Sequence, residues 1–380
     1  MCIKLWPGRV LQHCWGDGMS LMLFAEKKLP PAIVAWLRRA FSAKQRLVLN
    51  GIAGSRWLCT LYYAFFSRAF RREQQAVAAG LALHHSRIDP NSMRTLLRRN
   101  IHRIEKGLLM RPRRERFALS YIVETVNCYL ECSQVDNAAD WSKDLAWAHD
   151  ILENYFAVVK GEEQVERAHA IFLSVDQPFG EGPGGRVPYS RRGACPVTFD
   201  SFASLAKRRR TVRWFLQTEV PHVLIDKALE IAAESPTACN RQPFFYRFFD
   251  EPEALRRLRP LPLGTAGFGH NIPMICAVVG DLSAYYGERD RHGIYIDASL
   301  SIMSFMYALE TLGLSSCPLN WADIESLEKR AENMLGLKMH ERIIMFIGIG
   351  YPDPQGLVAF SQKKDLHSLR SFNQPKLHTD

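Results

Sequence analysis

Ser235-Pro236-Thr237-Ala238-Cys239-Asn240-Arg241-Gln242-Pro243 is the stretch on which the reading of this chain turns. Pro236 and Pro243 fix the backbone at either end. Thr237 and Asn240 supply short hydrogen-bonding groups that favour a turn, and Ala238 and Cys239 are small enough to let a planar ligand come close. Standing alone, the segment reads as an ordinary Asx-type turn. Two other stretches give it meaning. Upstream lies Arg209-Arg210-Thr211-Val212-Arg213-Trp214-Phe215, whose guanidinium forks and hydroxyl match the oxygens of a phosphate. Downstream, Gly313-Leu314-Ser315-Ser316-Cys317-Pro318-Leu319-Asn320-Trp321 is a tight loop entering a strand, with backbone amides that can face a flat ring.

In this order, followed by Gly348-Ile349-Gly350-Tyr351-Pro352 and then Lys363 and Lys364, the segments resemble the FMN-dependent nitroreductase family. The resemblance covers roughly residues 198 to 370. It implies FMN as cofactor and NAD(P)H as a transient electron donor. It implies that Arg209, Arg210, Thr211 and Arg213 bind the phosphate and ribityl chain, with Lys363 and Lys364 completing the phosphate site. Pro236, Thr237, Ala238, Asn240 and Gln242 are implied to reach the flavin from the other subunit. Pro318, Leu319 and Asn320 would lie along the isoalloxazine, with the Asn320 backbone N–H toward flavin N5. An amide so placed stabilises developing electron density, so no side-chain acid is needed there. Thr211 stands where Ser is usual and keeps the hydroxyl; Phe244 stands where Trp is common. Asn320-Trp321 replaces the more usual acidic or glycine residues, and Trp321 is expected to narrow the substrate cavity. Cys317 reads as a packed residue rather than a redox group, because no second Cys accompanies it. The implied fold is α+β: a three-layer α/β/α domain with a mainly antiparallel sheet, paired as a homodimer through long central helices, with C-terminal arms embracing the partner.

The residue pattern agrees with such a domain. Strands are predicted at 244–250, 274–280, 315–320 and 342–349, and helices near 198–208, 221–234, 295–312 and 323–335. The 295–312 helix is apolar on much of its circumference, so it should be buried in a core or between subunits. Gly264 to Gly269 lacks the spacing of a dinucleotide-binding loop.

Residues 176–197, rich in Gly and Pro, read as a linker between a mostly helical, basic region at 1–175 and the 198–380 domain with its C-terminal arm. In the first half, Asp89 and Pro90 open a helix carrying Met93, Leu96, Leu97, Ile101 and Ile104 at helical spacing, with Gly107 as a left-handed stop. Further helices are expected at 116–132 and 141–159. Asn100-Ile101-His102-Arg103-Ile104-Glu105-Lys106-Gly107-Leu108 resembles a segment ahead of the flavin domain in a subset of nitroreductase-like proteins, some linked to polysaccharide biosynthesis. His102 and Glu105 read either as a proton-handling pair or as helix surface with Glu105 paired to Arg103 or Lys106.

The 380 residues are enough for two cores, and 47% hydrophobic with 23% charged residues is a globular composition. Nine cysteines without metal-ligand spacing argue against a metal site and for a reducing compartment. Residues 1–120 carry 22 Lys/Arg against 6 Asp/Glu, a net +16 within a total of +10. Such asymmetry points to an anionic partner or to a solvated basic surface. Apolar and aromatic residues beside the cations favour an anionic membrane surface, and no recognition helix or RNA-binding signature favours nucleic acid. No apolar run is long enough to cross a bilayer and the N-terminus lacks a signal-peptide core, so the expected location is cytoplasmic, with peripheral contact to the inner face of the membrane. The function expected is a flavin-dependent oxidoreductase passing electrons to a small organic acceptor by a ping-pong mechanism. The alternatives are an NAD(P)H-independent flavin dehydrogenase or tailoring enzyme, and a catalytically silent flavin-binding module docked on an anionic surface.

Overall fold

The computed structural model describes residues 29–87, 89–135, 138–175 and 193–373. Residues 1–28 of the basic region and 176–192 of the expected linker lie outside the described residues.

The first described helices are α1 (Pro31–Ile52), α2 (Arg56–Leu61), α3 (Arg71–Ser86), α4 (Pro90–Leu109), α5 (Ile122–Ser133), α6 (Ser142–Val158) and α7 (Glu163–Leu173). Asp89 caps α4 by accepting from the Ser92 amide at 3.1 Å, with Pro90 in the first turn. Leu96, Leu97, Ile101 and Ile104 then pack with Tyr129, Leu145, Ile151, Leu152 and Tyr155 into one helical core. Gly107 does not stop α4, which runs on to Leu109. Its lack of a side chain serves packing instead: a Cβ there would lie 2.4 Å from the Phe117 ring. The helix expected from 116 begins only at Ile122, because residues 111–121 form turns on which Phe117 packs into that core.

The second half contains α8 (Phe199–Arg208), α9 (His222–Ala233), β1 (Phe244–Phe249), α10 (Pro252–Leu258), β2 (Met274–Asp281), α11 (Gly293–Thr311), β3 (Ser315–Asn320), α12 (Glu325–Leu335), β4 (Glu341–Gly350) and α13 (Leu366–Leu369). The four strands form an antiparallel sheet in the order β1-β2-β4-β3. Strand side chains alternate between faces, and β2 uses both. Met274, Cys276 and Val278 join a core with α9 and α11, whereas Ile275 and Ala277 join one with α10 and α12. Opposite the Val278/Val279 step, Ile344 is an extra residue in β4, a bulge that re-aims the strand. The domain is thus α/β/α in three layers, as expected.

The helix α11 is only half buried in the single chain. Ile302, Phe305 and Leu309 face the core, while Ile296 is 61% and Leu300 45% exposed. Gly313, at φ +79°, turns the chain out of α11, and the Leu314 amide returns to the Leu309 carbonyl at 3.0 Å.

The two halves meet closely. Ala76 and Val77 of α3 share a small core with Leu282, Ala284, Tyr285 and Ile294. Gly80 permits this approach, since a Cβ there would sit 2.7 Å from the Leu282 carbonyl. Arg72 of α3 is buried, paired with Glu332, and donates to the Met339 carbonyl at 2.8 Å.

Candidate active site

Beyond α8 the chain runs extended along the open edge of β3. The Val212 amide donates to the Ser316 carbonyl at 3.1 Å, and Thr211 bridges Ser316 in parallel. This holds Arg209, Arg210, Thr211 and Arg213 in one ribbon. Arg209 Nε is buried and has no hydrogen-bond partner among the described residues, and the same holds for Ser316 Oγ. An unpaired buried donor costs about 1–3 kcal/mol, and an anion bound there would remove that cost. Glu310 lies nearby, accepting from Ser315 Oγ at 2.9 Å and 3.7 Å from Arg208 Nε. Burial raises its carboxyl pKa, while Ser315, Arg208 and Arg209 oppose the rise. Arg210 donates to the Phe360 carbonyl at 3.0 Å, bringing the C-terminal arm alongside the ribbon. Lys363 and Lys364 follow shortly on that arm and are exposed. Arg213 is exposed as well, 5.6 Å from the Phe268 ring.

In a strand, the N–H and C=O of one residue point to the same side, alternating along the chain. Because the Ser316 carbonyl faces the 209–215 ribbon, Ser316, Pro318 and Asn320 direct their backbone polar groups to that outer edge. Pro318 has no N–H to offer. The backbone donor presented at the open end of the strand is therefore that of Asn320, which is exposed, while Leu319 is buried. The Cys317 thiol is buried and pushed up to about 11 by that burial, which leaves it an unreactive packed group. Trp321 does not narrow a cavity: its ring packs on Phe346 in the core and its indole N–H donates to buried Glu328. The short strand had turned this side chain inward, where a buried carboxylate supplies its acceptor.

The 235–243 turn is built differently. Cys239, Asn240 and Gln242 all have positive φ, at 54°, 53° and 50°. Four contacts hold these left-handed residues. The Ala238 amide donates to Asp297 Oδ2 at 2.9 Å, the Gln242 amide to Thr237 Oγ1 at 3.1 Å, Arg241 to the Ala238 carbonyl at 2.9 Å, and Arg98 to the Asn240 carbonyl at 2.9 Å. Asp297 is buried in the first turns of α11, and Arg98 comes from α4, where Asp144 pairs with it. Neither residue stood out in the sequence, since no local pattern marks a side chain that grips a loop 59 or 142 residues away. Among the described residues no hydrogen bond joins this turn to the 209–213 ribbon; the turn lies against α4 and α11, the ribbon against β3 and the arm.

Glu105 accepts neither Arg103 nor Lys106. His102 Nδ1 lies 3.0 Å from Glu105 Oε2, while the Arg103 guanidinium covers the Tyr121 ring at 3.8 Å. Among the described residues, no group of three or more His, Cys, Asp or Glu is placed to hold a metal ion.

Among known proteins, residues 206–266 and 261–351 match the model of the Nitroreductase family. Iodotyrosine deiodinase 1 from Pongo abelii is 22% identical over 200 residues, which are 44% of this chain and 67% of that protein. An NADH dehydrogenase from Thermus thermophilus is 25% identical over 182 residues, 40% of this chain and 86% of that one. A solved FMN-dependent nitroreductase from Clostridium difficile aligns over 45% of this chain and 99% of its own, at 22% identity and a TM-score of 0.39. The C-terminal half of the chain therefore carries a nitroreductase-family domain, spanning residues 206–351.

Proposed function

We propose that the protein is an FMN-dependent oxidoreductase that passes electrons from NAD(P)H to a small organic acceptor by a ping-pong mechanism. The observation that carries this reading is the orphaned, buried Nε of Arg209 beside Thr211, on a ribbon laid against the strand that presents the Asn320 amide. Bound FMN would supply the chemistry of a two-electron carrier. Arg209, Arg210, Thr211 and Arg213 would neutralise its phosphate with charge-assisted hydrogen bonds. Lys363 and Lys364, just beyond Phe360 on the arm tied by Arg210, would add their charges to the phosphate site. Pro318 and the backbone of Leu319 would lie along the ring, and the Asn320 N–H would stabilise charge that develops at its edge.

The cofactor-binding set is completed by Pro236, Thr237, Ala238, Asn240 and Gln242 of a second copy. Two features support a homodimer. Val223 and Ile231 of α9 join Ile296 and Leu300 of α11 as exposed apolar side chains, and the arm exposes Leu357, Phe360, Leu366, Leu369 and Phe372. Apolar surface of this extent on one chain is expected to be covered by another. Replacing Arg209 with Ala removes at least one charge-assisted hydrogen bond, about 1.5–3 kcal/mol, and should weaken FMN binding roughly ten- to a hundredfold. Unchanged flavin retention after dialysis would remove Arg209 from the site.

A peripheral contact with anionic membrane has support of its own. Trp36 (66% exposed), Trp57 (80%) and Phe65 (72%) stand in the same segment as Arg39, Lys44, Arg46, Arg56 and Arg68. No helix among the described residues is long and apolar enough to cross a membrane. Salt-sensitive sedimentation with anionic vesicles, reduced by Trp36→Ser, Trp57→Ser and Phe65→Ser together, is the expected result; protein that stays in solution at low salt leaves a solvated basic surface.

A further inference from the structure

A cavity of about 260 Å³ opens where α3, α4 and the turn before α5 meet the segment after β2. Its wall carries Arg87, Arg99, Arg103, Tyr121 and Glu124, together with His84 and the Tyr286 ring. Glu124 pairs with Arg87. Arg99 and Arg103 have no carboxylate partner among the described residues; both donate to Asn100 Oδ1, at 3.2 and 3.4 Å. Two half-buried guanidinium groups thus stand in the cavity without a salt bridge, Arg103 resting on the Tyr121 ring and Arg99 offset in part by Glu124. Burial first, then the charges of Arg103 and Arg241, push the Arg99 pKa down from its ordinary value. Arg241 itself is 7% exposed, its Nε has no hydrogen-bond partner, and it belongs to the 235–243 turn. Arg98, next to Arg99 on α4, donates to the Asn240 carbonyl, so the helix that carries the cavity's cations also holds the turn proposed to reach the flavin.

The larger cavity of about 510 Å³ on the other side of the turn is unlike it. There Arg94 and Arg98 pair with Asp144, Asp89 caps α4, and Glu341 accepts from the Lys338 amide at 2.8 Å. These charged groups are already paired, although Arg241, with its unpaired Nε, also lines this cavity. Protein interiors do not keep unpaired cations together without reason, since like charges in low dielectric repel and each has given up water.

We propose that Arg99 and Arg103 bind the oxyanion group of the substrate, so that the acceptor is a small carboxylate- or phosphate-bearing molecule. The planar guanidinium forks suit either oxyanion, and the exposed Tyr286 ring gives its organic part apolar surface. The inference rests on the flavin reading only for the words "acceptor" and "substrate"; the anion site stands on its own geometry. It gives the basic face of α4 a task that its helical packing does not require.

The test is calorimetric titration of the whole protein with 4-nitrobenzoate, 4-nitrophenyl phosphate and the uncharged methyl 4-nitrobenzoate, with FMN content measured separately. Wild-type protein should bind at least one of the anions about tenfold more tightly than the ester, and the tighter anion tells carboxylate from phosphate. Arg99→Gln with Arg103→Gln should abolish the preference while the FMN content stays unchanged. Equal affinity of wild-type protein for the anions and the ester overturns the proposal, and so does a preference that survives in a folded double variant. Should the double variant fail to fold, the wild-type comparison still decides. Protein that prefers the anions but takes up no FMN would keep the anion site and refute the oxidoreductase reading; FMN-loaded protein without the preference would do the reverse.

Discussion

Replacing Asp297 with Ala should loosen the 235–243 turn and the site it serves. A left-handed conformation costs a non-glycine residue about 1–2 kcal/mol, so Cys239 and Gln242 together store roughly 2–4 kcal/mol, with Asn240 adding less. Hydrogen bonds to charged groups contribute about 1.5–3 kcal/mol each. Asp297, Arg98 and Arg241 make three of them to the turn, and Thr237 makes a neutral one. Removing Asp297, which is 3% exposed, deletes one charged contact and leaves the Ala238 N–H unpaired. The expected loss is about 2–4 kcal/mol, enough to bring the holding contacts close to the strain they oppose. Asp297→Asn keeps an acceptor and should lose about 1 kcal/mol. Denaturant unfolding followed by circular dichroism measures the global loss, hydrogen exchange at residues 238–242 the local one, and flavin retention after dialysis the consequence for the site. An Asp297→Ala protein with wild-type unfolding midpoint, exchange and flavin content would refute the reasoning, since the turn would then hold its shape without this carboxylate.

Two further outcomes are expected. Because the ribbon and the turn share no hydrogen bond within a chain, a chain carrying Arg209→Ala and Arg213→Ala mixed with one carrying Asn240→Ala should regain flavin in heterodimers, each having one intact site; absence of recovery in verified heterodimers would place the site within a single chain. Glu310 has its folded pKa raised above the ordinary 4.5, mainly by burial, so the stability it contributes is full below the unfolded pKa and is lost as pH rises through the folded one. Glu310→Gln, which mimics the protonated form, should therefore raise the melting temperature relative to wild type more at about pH 7.5 than at about pH 4, and an equal difference at both would contradict this.

The sheet and its helices were legible because their periods are local. Met274 to Asp281 reads as a strand from its apolar run, and its two faces then fill two cores; Ile302, Phe305 and Leu309 recur at helical spacing and pack on one of them. Gly107 was not legible for the opposite reason: its role depends on Phe117, which a turn brings back against the helix. Trp321 followed the same rule, its orientation being set by Glu328 on the next helix. At the site, the arginine ribbon and the Pro-bounded turn could be picked out as sequence segments. Asp297 and Arg98 could not, because each grips a turn that only the folded chain brings near.

The central claim is that this chain holds FMN and uses it with a nicotinamide donor. The most direct measurement is the absorption spectrum of the purified, FMN-loaded and dialysed protein, before and after anaerobic addition of NADH or NADPH. The account predicts yellow protein with flavin and chain in equal molar amounts, bleached by at least one of the two donors and restored by an oxidising organic acceptor. Colourless protein after loading and dialysis would contradict flavin binding, and a yellow protein that neither donor bleaches would contradict the electron path proposed for it.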